Sequence, residues 1–322
     1  MQRLLHDAGQ LDWATVHVDF FGVLSLDDVA QRIEKAYADQ LQGTLKSWFS
    51  AVQRSWRTTM TLGGGPVPAS VAANPGAAPL LDRLDVPLKL NKRHGKRVLV
   101  VFDEFQDVLI AQGNADAVIR SRIQHHGDAA SYVFAGSHVG MMRQLFTDKR
   151  RAFYGQAAPV ALPPLEVEDV ADYVSVRFRG TNRDVGGALG PLLDAGRGHP
   201  QRTMLLAHHL WDATPPGEAA DEETWSAAYE RVMSEVHDEL QAIWRALTAS
   251  QQRVATAIAE NRAGLYAVSR QQGGSRGGAV ERATRELADL GEAVEAPSTA
   301  TGRVLVDPLF AAWLLDMRSK SL

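Results

Sequence analysis

The segment VLVVFDEFQD, residues 98–107, constrains the fold more than any other part of this sequence. Five consecutive apolar residues have the length of one strand, and two adjacent acids, Asp103 and Glu104, follow at once. An unbroken apolar strand, in contrast to an alternating one, is typical of a parallel sheet that is covered on both faces. The segment therefore predicts an α/β fold with both carboxylates at the carboxyl edge of the sheet, where ligands bind in such folds.

Two other segments have the character of strands. Residues 14–21 (ATVHVDFF) are rich in β-branched and aromatic residues, and residues 131–135 (SYVFA) form another apolar run. A helix is predicted after the first strand, with Ser25 as its N-cap and Asp28 at its third position, and it should continue through Trp56. The alternation of strands and helices indicates a parallel sheet.

The connections and the second half of the chain follow a different pattern. The Gly- and Pro-rich stretch 61–79 predicts a surface loop, and a helix from about Leu80 leads to the basic turn NKRHGKR at residues 91–97. From residue 162 the sequence predicts helices, then two short strand-like segments, 293–296 and 303–306, and a last helix from Asp307. The order of elements after residue 248 is the layout of a winged helix-turn-helix.

Composition excludes several classes of protein. The 322 residues are 45% hydrophobic and 22% charged, as in soluble globular proteins of about two domains. Without cysteine there are no disulfides and no thiolate zinc sites, and with no signal peptide and no apolar run of membrane-spanning length a cytoplasmic location is expected. The net charge of −4 disfavours coating of nucleic acid through bulk charge, but it allows a local basic surface.

Asp103 and Glu104 are the first candidates for chemistry. In P-loop enzymes the first acid after such a strand holds Mg²⁺ and the second polarises the attacking water. The alternative is that these acids only cap the next helix. Ser137 follows another strand and could present its hydroxyl to a γ-phosphate, with Gly136 allowing close approach of the backbone, or it could simply be an N-cap.

Other chemistries fit the sequence poorly. Ser137 does not lie in a G-x-S-x-G elbow, so a serine hydrolase triad is disfavoured. The histidine pairs 125–126 and 208–209 are adjacent on helices, where their side chains diverge by about 100° and cannot chelate one metal ion. We interpret them as surface or helix-end histidines.

Taken together, these residues resemble the archaeal-type ATPase family, P-loop proteins of the AAA+ and STAND superfamilies related to the Cdc6 and origin-recognition ATPases. The resemblance runs nearly end to end. The matching motifs are a Walker B strand ending in Asp103-Glu104-Phe105, a sensor-1 pair Gly136-Ser137, a Gly198-His199-Pro200 helix start, and Asp307-Pro308-Leu309-Phe310 followed by Trp313.

This resemblance implies a P-loop NTPase core that is incomplete at its N-terminus (1–160), a helical lid (161–246) and a C-terminal winged-helix domain (247–322). It implies binding of ATP with Mg²⁺ between core and lid, with hydrolysis driving a conformational change. In these roles Asp103 would hold Mg²⁺, Glu104 would orient water and Ser137 would sense the γ-phosphate. Arg202 would contact the nucleotide as sensor 2, and the alternative for it is a surface arginine on a lid helix.

Departures from the family pattern limit these expectations. The sequence contains no G-x-x-x-x-G-K-[ST] motif, and Met1 to about His6 resembles the helix that follows the P-loop in relatives. We therefore expect this chain to bind ATP poorly. A start site drawn too late is favoured over a genuine loss, because loss would be expected to erode the other site residues too. Gln156 replaces the arginine usual after Tyr-Gly, although Arg150 and Arg151 lie close by as alternative arginine fingers.

The C-terminal segment leaves a second class of function open. Its predicted recognition helix, about 276–290, carries three arginines but also three acids, which offset the phosphate attraction that DNA binding needs. Both an arginine that reads DNA and a wing that contacts protein remain open. The alternative function is a non-enzymatic winged-helix DNA-binding regulator, or an interaction scaffold, with a vestigial ATPase core. Expected partners are ATP, DNA or a protein, and further copies of the chain, with no membrane.

Overall fold

The computed structural model describes residues 1–61, 77–112, 114–262 and 275–319. The chain divides into two compact units, residues 1–158 and 159–322, and each has its own hydrophobic core. Within the described ranges, no helix has the length and apolar character needed to cross a membrane.

The first unit is an α/β arrangement around one sheet. Its elements are α1 (Gln2–Gln10), β1 (Ala14–Asp19), α2 (Leu26–Gln40), α3 (Gly43–Thr61), α4 (Ala77–Leu84), α5 (Val86–His94), β2 (Val98–Asp103), α6 (Ala115–Ile123), β3 (Ala130–Phe134) and α7 (Val139–Thr147). A short 3-10 helix, Phe105–Leu109, follows β2. Most of the predicted surface loop at 61–79 lies outside the described residues, and α4 begins at its end.

The three strands are parallel in the order β1-β2-β3, which confirms the predicted parallel sheet. The central strand β2 is buried from Val98 to Phe102, because it has a neighbour on each side and the core packs against it. The register pairs Asp19 with Asp103 and Phe102 with Phe134. All three strands therefore end at the same edge.

The helix after β1 differs from the prediction. Its N-cap is confirmed, since Ser25 Oγ accepts a hydrogen bond from the Asp28 amide at 3.2 Å. The predicted continuous helix through Trp56 is wrong, because the chain breaks between α2 and α3. There Leu41 is buried in an extended conformation and Gly43 has a φ of +55°, a left-handed conformation that glycine adopts readily.

The second unit is helical with one small hairpin. Its elements are α8 (Val167–Arg179), α9 (Leu189–Gly196), α10 (Pro200–Ala213), α11 (Glu222–Ala246), α12 (Ala249–Ala259), α13 (Ser275–Asp289), β4 (Ala293–Glu295), β5 (Arg303–Leu305) and α14 (Pro308–Ser319). Strands β4 and β5 pair in antiparallel fashion. Buried residues on both sides of position 246 share one hydrophobic core. The division of this half into lid and winged helix stays a prediction.

Candidate functional site

The carboxyl edge of the sheet brings together the acids and the serine predicted from the sequence. Strand β2 ends at Asp103, Glu104 follows it, and the segment after β3 leads through Gly136 to Ser137. The Ser137 hydroxyl donates a hydrogen bond to Glu104 Oε2 at 2.9 Å. Residues 33 positions apart thus meet because the two strands that carry them are parallel neighbours.

Glu104 is held by backbone and side-chain contacts together. Its φ of +47° lies in the left-handed region, which non-glycine residues seldom adopt and which is often found at functional sites. Besides Ser137, the Gln106 amide nitrogen donates to the same carboxylate oxygen, Oε2. Among the described residues, no donor is bonded to Oε1. One oxygen is therefore fixed by two donors, and the other is open to accept a proton or a hydrogen bond from water.

Asp103 has a different set of partners. Its Oδ2 lies 2.9 Å from Nε2 of His17, a residue of β1, and its Oδ1 accepts a hydrogen bond from the Glu104 amide at 3.1 Å. His17 was not identified as a site residue from the sequence. The sequence pattern around His17, an alternating run before Asp19, predicts a strand but indicates no contact with Asp103. The contact with Asp103 depends on the register between the two strands.

Gln106 is a second residue that sequence reasoning missed. Its side chain is 4% exposed, and its Oε1 atom is buried with no hydrogen-bond partner among the described residues. A Cβ atom added to Gly136 would lie 2.1 Å from that oxygen. Gly136 is predicted to let the backbone approach a phosphate, but in this structure the space beside it is filled by the side chains of Gln106 and Met142.

Neighbouring loops hold this edge in shape. Asp107 Oδ2 accepts a hydrogen bond from the Gly22 amide at 2.8 Å, and the Leu24 carbonyl accepts one from Gln112 at 3.0 Å. The buried ring of Phe105 packs 4.6 Å from that of Phe134. The segment that follows β2 is thus tied both to the loop after β1 and to β3.

The donor chemistry of Asp103 suits Mg²⁺. Within the described residues, no three His, Asp or Glu side chains are grouped closely enough to hold a metal ion by themselves. Magnesium commonly binds through one or two carboxylates together with substrate phosphates and water. Asp103 has the oxygen chemistry of such a ligand, and in this structure its two oxygens contact His17 and the Glu104 amide.

Arg202 lies in the second unit and is buried. Its guanidinium donates to Asp307 Oδ2 at 2.6 Å and to Glu239 Oε1 at 2.8 Å, and the residue is only 3% exposed. Burial lowers the pKa of Arg202, but the two carboxylates raise it more, so the arginine stays charged. The alternative of a surface arginine is therefore wrong. A contact between Arg202 and a nucleotide remains a prediction.

The arginines considered as fingers both have acidic partners within the first unit. Arg150 pairs with Asp148 at 2.9 Å, and Arg151 lies 3.8 Å from the carboxylate of Asp116. Gln156, which stands where the family usually has arginine, accepts a hydrogen bond from Arg120. A role for either arginine in catalysis stays a prediction.

Comparison with solved structures identifies the fold. The sequence matches no known family profile and no curated protein. The Walker-type ATPase of Pyrococcus abyssi superposes with a TM-score of 0.63 at 15% identity, over 98% of this chain and 87% of the other. The chain has the fold of a P-loop ATPase. The ORC2 protein of Aeropyrum pernix, solved as ADPNP-ADP complexes, superposes on the same P-loop ATPase fold with a TM-score of 0.53 at 14% identity, over 99% and 83% of the chains.

Proposed function

We propose that this protein is an ATPase of the AAA+/STAND type, in which binding and hydrolysis of ATP with Mg²⁺ drive a conformational change. The observation that carries the proposal is the hydrogen bond of 2.9 Å between Ser137 and Glu104, beside Asp103 at the carboxyl edge of a parallel sheet. This edge is where ligands bind in open α/β folds. The nucleotides in the ORC2 structure support a nucleotide as the ligand.

Each residue at this edge has a role that matches its contacts. Asp103 would hold Mg²⁺, which supplies charge stabilisation for the phosphates when it is bound. Glu104 orients and deprotonates the attacking water through Oε1, since Oε2 already accepts two hydrogen bonds. Ser137 can transfer its hydrogen bond from Glu104 to a γ-phosphate oxygen, so occupancy of the site changes how Glu104 is held.

The phosphate-binding loop is the part of this machinery that the sequence lacks. A P-loop supplies backbone amides around the phosphates, a lysine on the β- and γ-oxygens and a hydroxyl on Mg²⁺, and Asp103 and Glu104 cannot replace these groups. Since no G-x-x-x-x-G-K-[ST] motif occurs in the 322 residues, the proposed ATPase depends on a loop that lies outside them. These residues alone should bind ATP weakly.

The two edges of the sheet differ in a way that supports a further strand. At β1, the Gln40 side chain bonds both backbone groups of His17, at 2.8 and 2.7 Å, and so blocks the middle of that edge. At β3, no strand pairs with the outer edge within the described residues, and Ser131 to Phe134 are only half-buried. An open edge is a template for pairing. We propose that the strand preceding a P-loop pairs here.

Calorimetric titration of the 322-residue protein with ATP and Mg²⁺ tests whether the lack of a phosphate-binding loop prevents nucleotide binding. The expected result is no detectable binding at micromolar ATP, because the groups that contact the β- and γ-phosphates are lacking. Micromolar affinity would show that the 322 residues hold a complete nucleotide site, and the proposal of a missing loop would then be wrong.

The coding sequence upstream of Met1 tests the ATPase itself. We expect an in-frame strand of apolar residues followed by G-x-x-x-x-G-K-[ST] and then the helix α1. An upstream stop codon with no such segment would contradict the ATPase proposal and would favour a vestigial core.

A further inference from the structure

The basic turn, residues Asn91–Arg97, has no role in the proposed ATPase. Five of its seven residues are Lys, Arg or His. It joins the end of α5 to the start of β2 and therefore lies at the opposite end of that strand from Asp103. Its chemistry has to be explained separately from that of the carboxyl edge.

The backbone of the basic turn is held firmly. Gly95 has a φ of +67° and its amide donates to the Asn91 carbonyl at 2.8 Å, so it ends α5 in a left-handed conformation. The Asn91 side chain donates to the Lys96 carbonyl at 3.0 Å, and the Arg97 carbonyl accepts from Ala14 at 2.9 Å. The basic side chains therefore project from a fixed frame, which lowers the entropy cost of binding.

Most of the positive charge in the turn has no carboxylate partner. Lys92 and Arg93 are exposed and form no ion pair with any described residue, and the undescribed stretches contain no Asp or Glu. Lys96 is the exception, because it pairs with Asp12. The helix dipole favours cations in the last turn of α5, but it does not account for Lys96 and Arg97, which come after the C-cap.

Arg97 is placed to bind an anion with both terminal nitrogens. Its guanidinium carbon lies 4.2 Å from the centre of the Trp13 ring, and its Nε donates to the Asp128 carbonyl at 3.1 Å. Neither terminal nitrogen has a partner among the described residues. A planar guanidinium held in this way matches two phosphate oxygens at once.

The predicted winged helix shows the opposite arrangement of charge. In α13, Arg285 pairs with Glu281 at 3.5 Å, whereas Arg282 is exposed and forms no ion pair with a described residue, and Glu286 accepts a hydrogen bond from Gln251. In the hairpin, Arg303 pairs with Glu295 at 3.4 Å. The side chain of Arg276 lies outside the described residues. Of these three described arginines, two are thus paired with acids, whereas Lys92, Arg93 and Arg97 of the basic turn all lack an acidic partner among the described residues.

We propose that the basic turn is a docking site for the phosphate backbone of double-stranded nucleic acid. Lys92, Arg93 and Arg97 supply uncompensated positive charge that a duplex, with its closely spaced phosphates, neutralises. The turn has no apolar residue that could insert into a lipid surface, which favours nucleic acid over an anionic membrane. This docking site does not depend on the proposed ATPase activity.

Fluorescence anisotropy with a labelled DNA duplex of about 20 base pairs, over about 50 to 200 mM KCl, tests the docking site. With three phosphate contacts we expect a Kd of roughly 10⁻⁴ to 10⁻⁶ M and a slope of about −2.7 for log K against log salt. The variant with Lys92→Ala and Arg93→Ala should bind at least about 10-fold more weakly at the lowest salt, with a slope near −1.

A matched variant distinguishes the contribution of the basic turn to DNA binding from that of the predicted winged helix. Arg282→Ala with Arg285→Ala removes the same charge from α13 and should keep the affinity and the slope. Thermal unfolding should show that both variants are folded. Three results would each overturn the proposal. The first is that the wild-type protein fails to bind duplex at about 50 mM salt. The second is that the α13 variant loses as much affinity as the turn variant. The third is that vesicles of equimolar phosphatidylserine and phosphatidylcholine bind the turn more tightly than duplex.

Discussion

At the scale of single residues, the site depends on how Gln106, Gly136 and Ser137 surround one carboxylate. Gln106 and Ser137 donate to the same oxygen of Glu104, and Gly136 leaves the room that Gln106 occupies. Neither Gln106 nor Gly136 could be assigned this task from the sequence, because the task arises from packing between the segments that follow β2 and β3. Their substitution should therefore act on the shape of the site.

Gly136→Ala should destabilise the protein by about 1–3 kcal/mol, because its Cβ would overlap the Gln106 side chain. Urea unfolding measures the change. In a Gln106→Ala background the same substitution should cost less, since the closest clash, with Gln106 Oε1, is gone and only the contacts with the flexible Met142 side chain, at 2.7 and 2.9 Å, remain. Gly9→Ala is a suitable control, because a Cβ there meets nothing within 4 Å. An equal cost in both backgrounds would show that Gln106 is not the clashing group.

Asp85 should make stability depend on pH. Burial alone raises its pKa, but His126, 3.9 Å away, and the paired Arg122 lower it more, to about 2 from a usual 3.8. A carboxyl with a lowered pKa stabilises the fold above its unfolded pKa and loses that contribution as the pH falls through the folded pKa. The contribution is therefore complete above about pH 4 and lost towards pH 2.

The measurement is urea unfolding of the wild type and of Asp85→Asn over this range. At pH 7 the variant should be less stable by about 2 kcal/mol, and the difference should shrink as the pH falls from 4 towards 2. Asp39→Asn, at an exposed ion pair, should change stability by less than about 1 kcal/mol at every pH. A difference for Asp85→Asn that stays constant with pH would contradict the ionic role.

At the scale of elements, Arg202 and Asp307 join helices that are distant in sequence. Arg202 lies near the start of α10 and Asp307 immediately before α14, while Glu239 belongs to α11. Asp307 has a second task, since its Oδ1 accepts hydrogen bonds from the amides of Leu309 and Phe310 at 2.9 and 3.3 Å and so caps α14. The Asp307 carboxylate thus caps α14 and also holds Arg202 of α10.

Arg202→Met should lower the free energy of unfolding by about 3 kcal/mol, because Asp307 would be left buried without its counter-charge. Glu239→Gln should cost less than about 1 kcal/mol, since that carboxylate is half-exposed. Chemical denaturation of both variants gives the comparison. If Arg202→Met unfolds like the wild type and instead weakens ATP binding in a protein extended upstream to include a P-loop, the sensor-2 prediction would be favoured over this structural role.

At the scale of the whole molecule, the proposed ATPase requires a phosphate-binding loop in addition to the described site. The P-loop ATPase fold, shared with the Pyrococcus abyssi protein at 15% identity, does not by itself establish activity. The proposed role of Glu104 can be measured only in a protein that also has the loop.

In a protein extended upstream to include a P-loop, Glu104→Gln should reduce the turnover of ATP by about 10²–10⁴-fold, with little effect on the Kd for ATP. The physical reason is that an amide keeps the size of the side chain but cannot take the proton of the attacking water. Steady-state phosphate release and equilibrium nucleotide binding give the two quantities, with Asp39→Asn as the control. Turnover that survives in Glu104→Gln would remove this residue from the mechanism.

The sequence by itself determined the parallel sheet, the N-cap at Ser25 and the edge at which Asp103, Glu104 and Ser137 lie. These features depend on local periodicity, on capping chemistry and on the rule that parallel strands end at one edge. Only the tertiary structure decided that His17 contacts Asp103, that Gln106 holds Glu104 and that Arg202 is buried between two acids. The reason is physical. The contacts of His17 and Arg202 join side chains that are distant in sequence and meet only through strand register or helix packing. Gln106 is only two residues from Glu104, but its side chain is buried against Gly136 of the segment after β3, which no local pattern encodes.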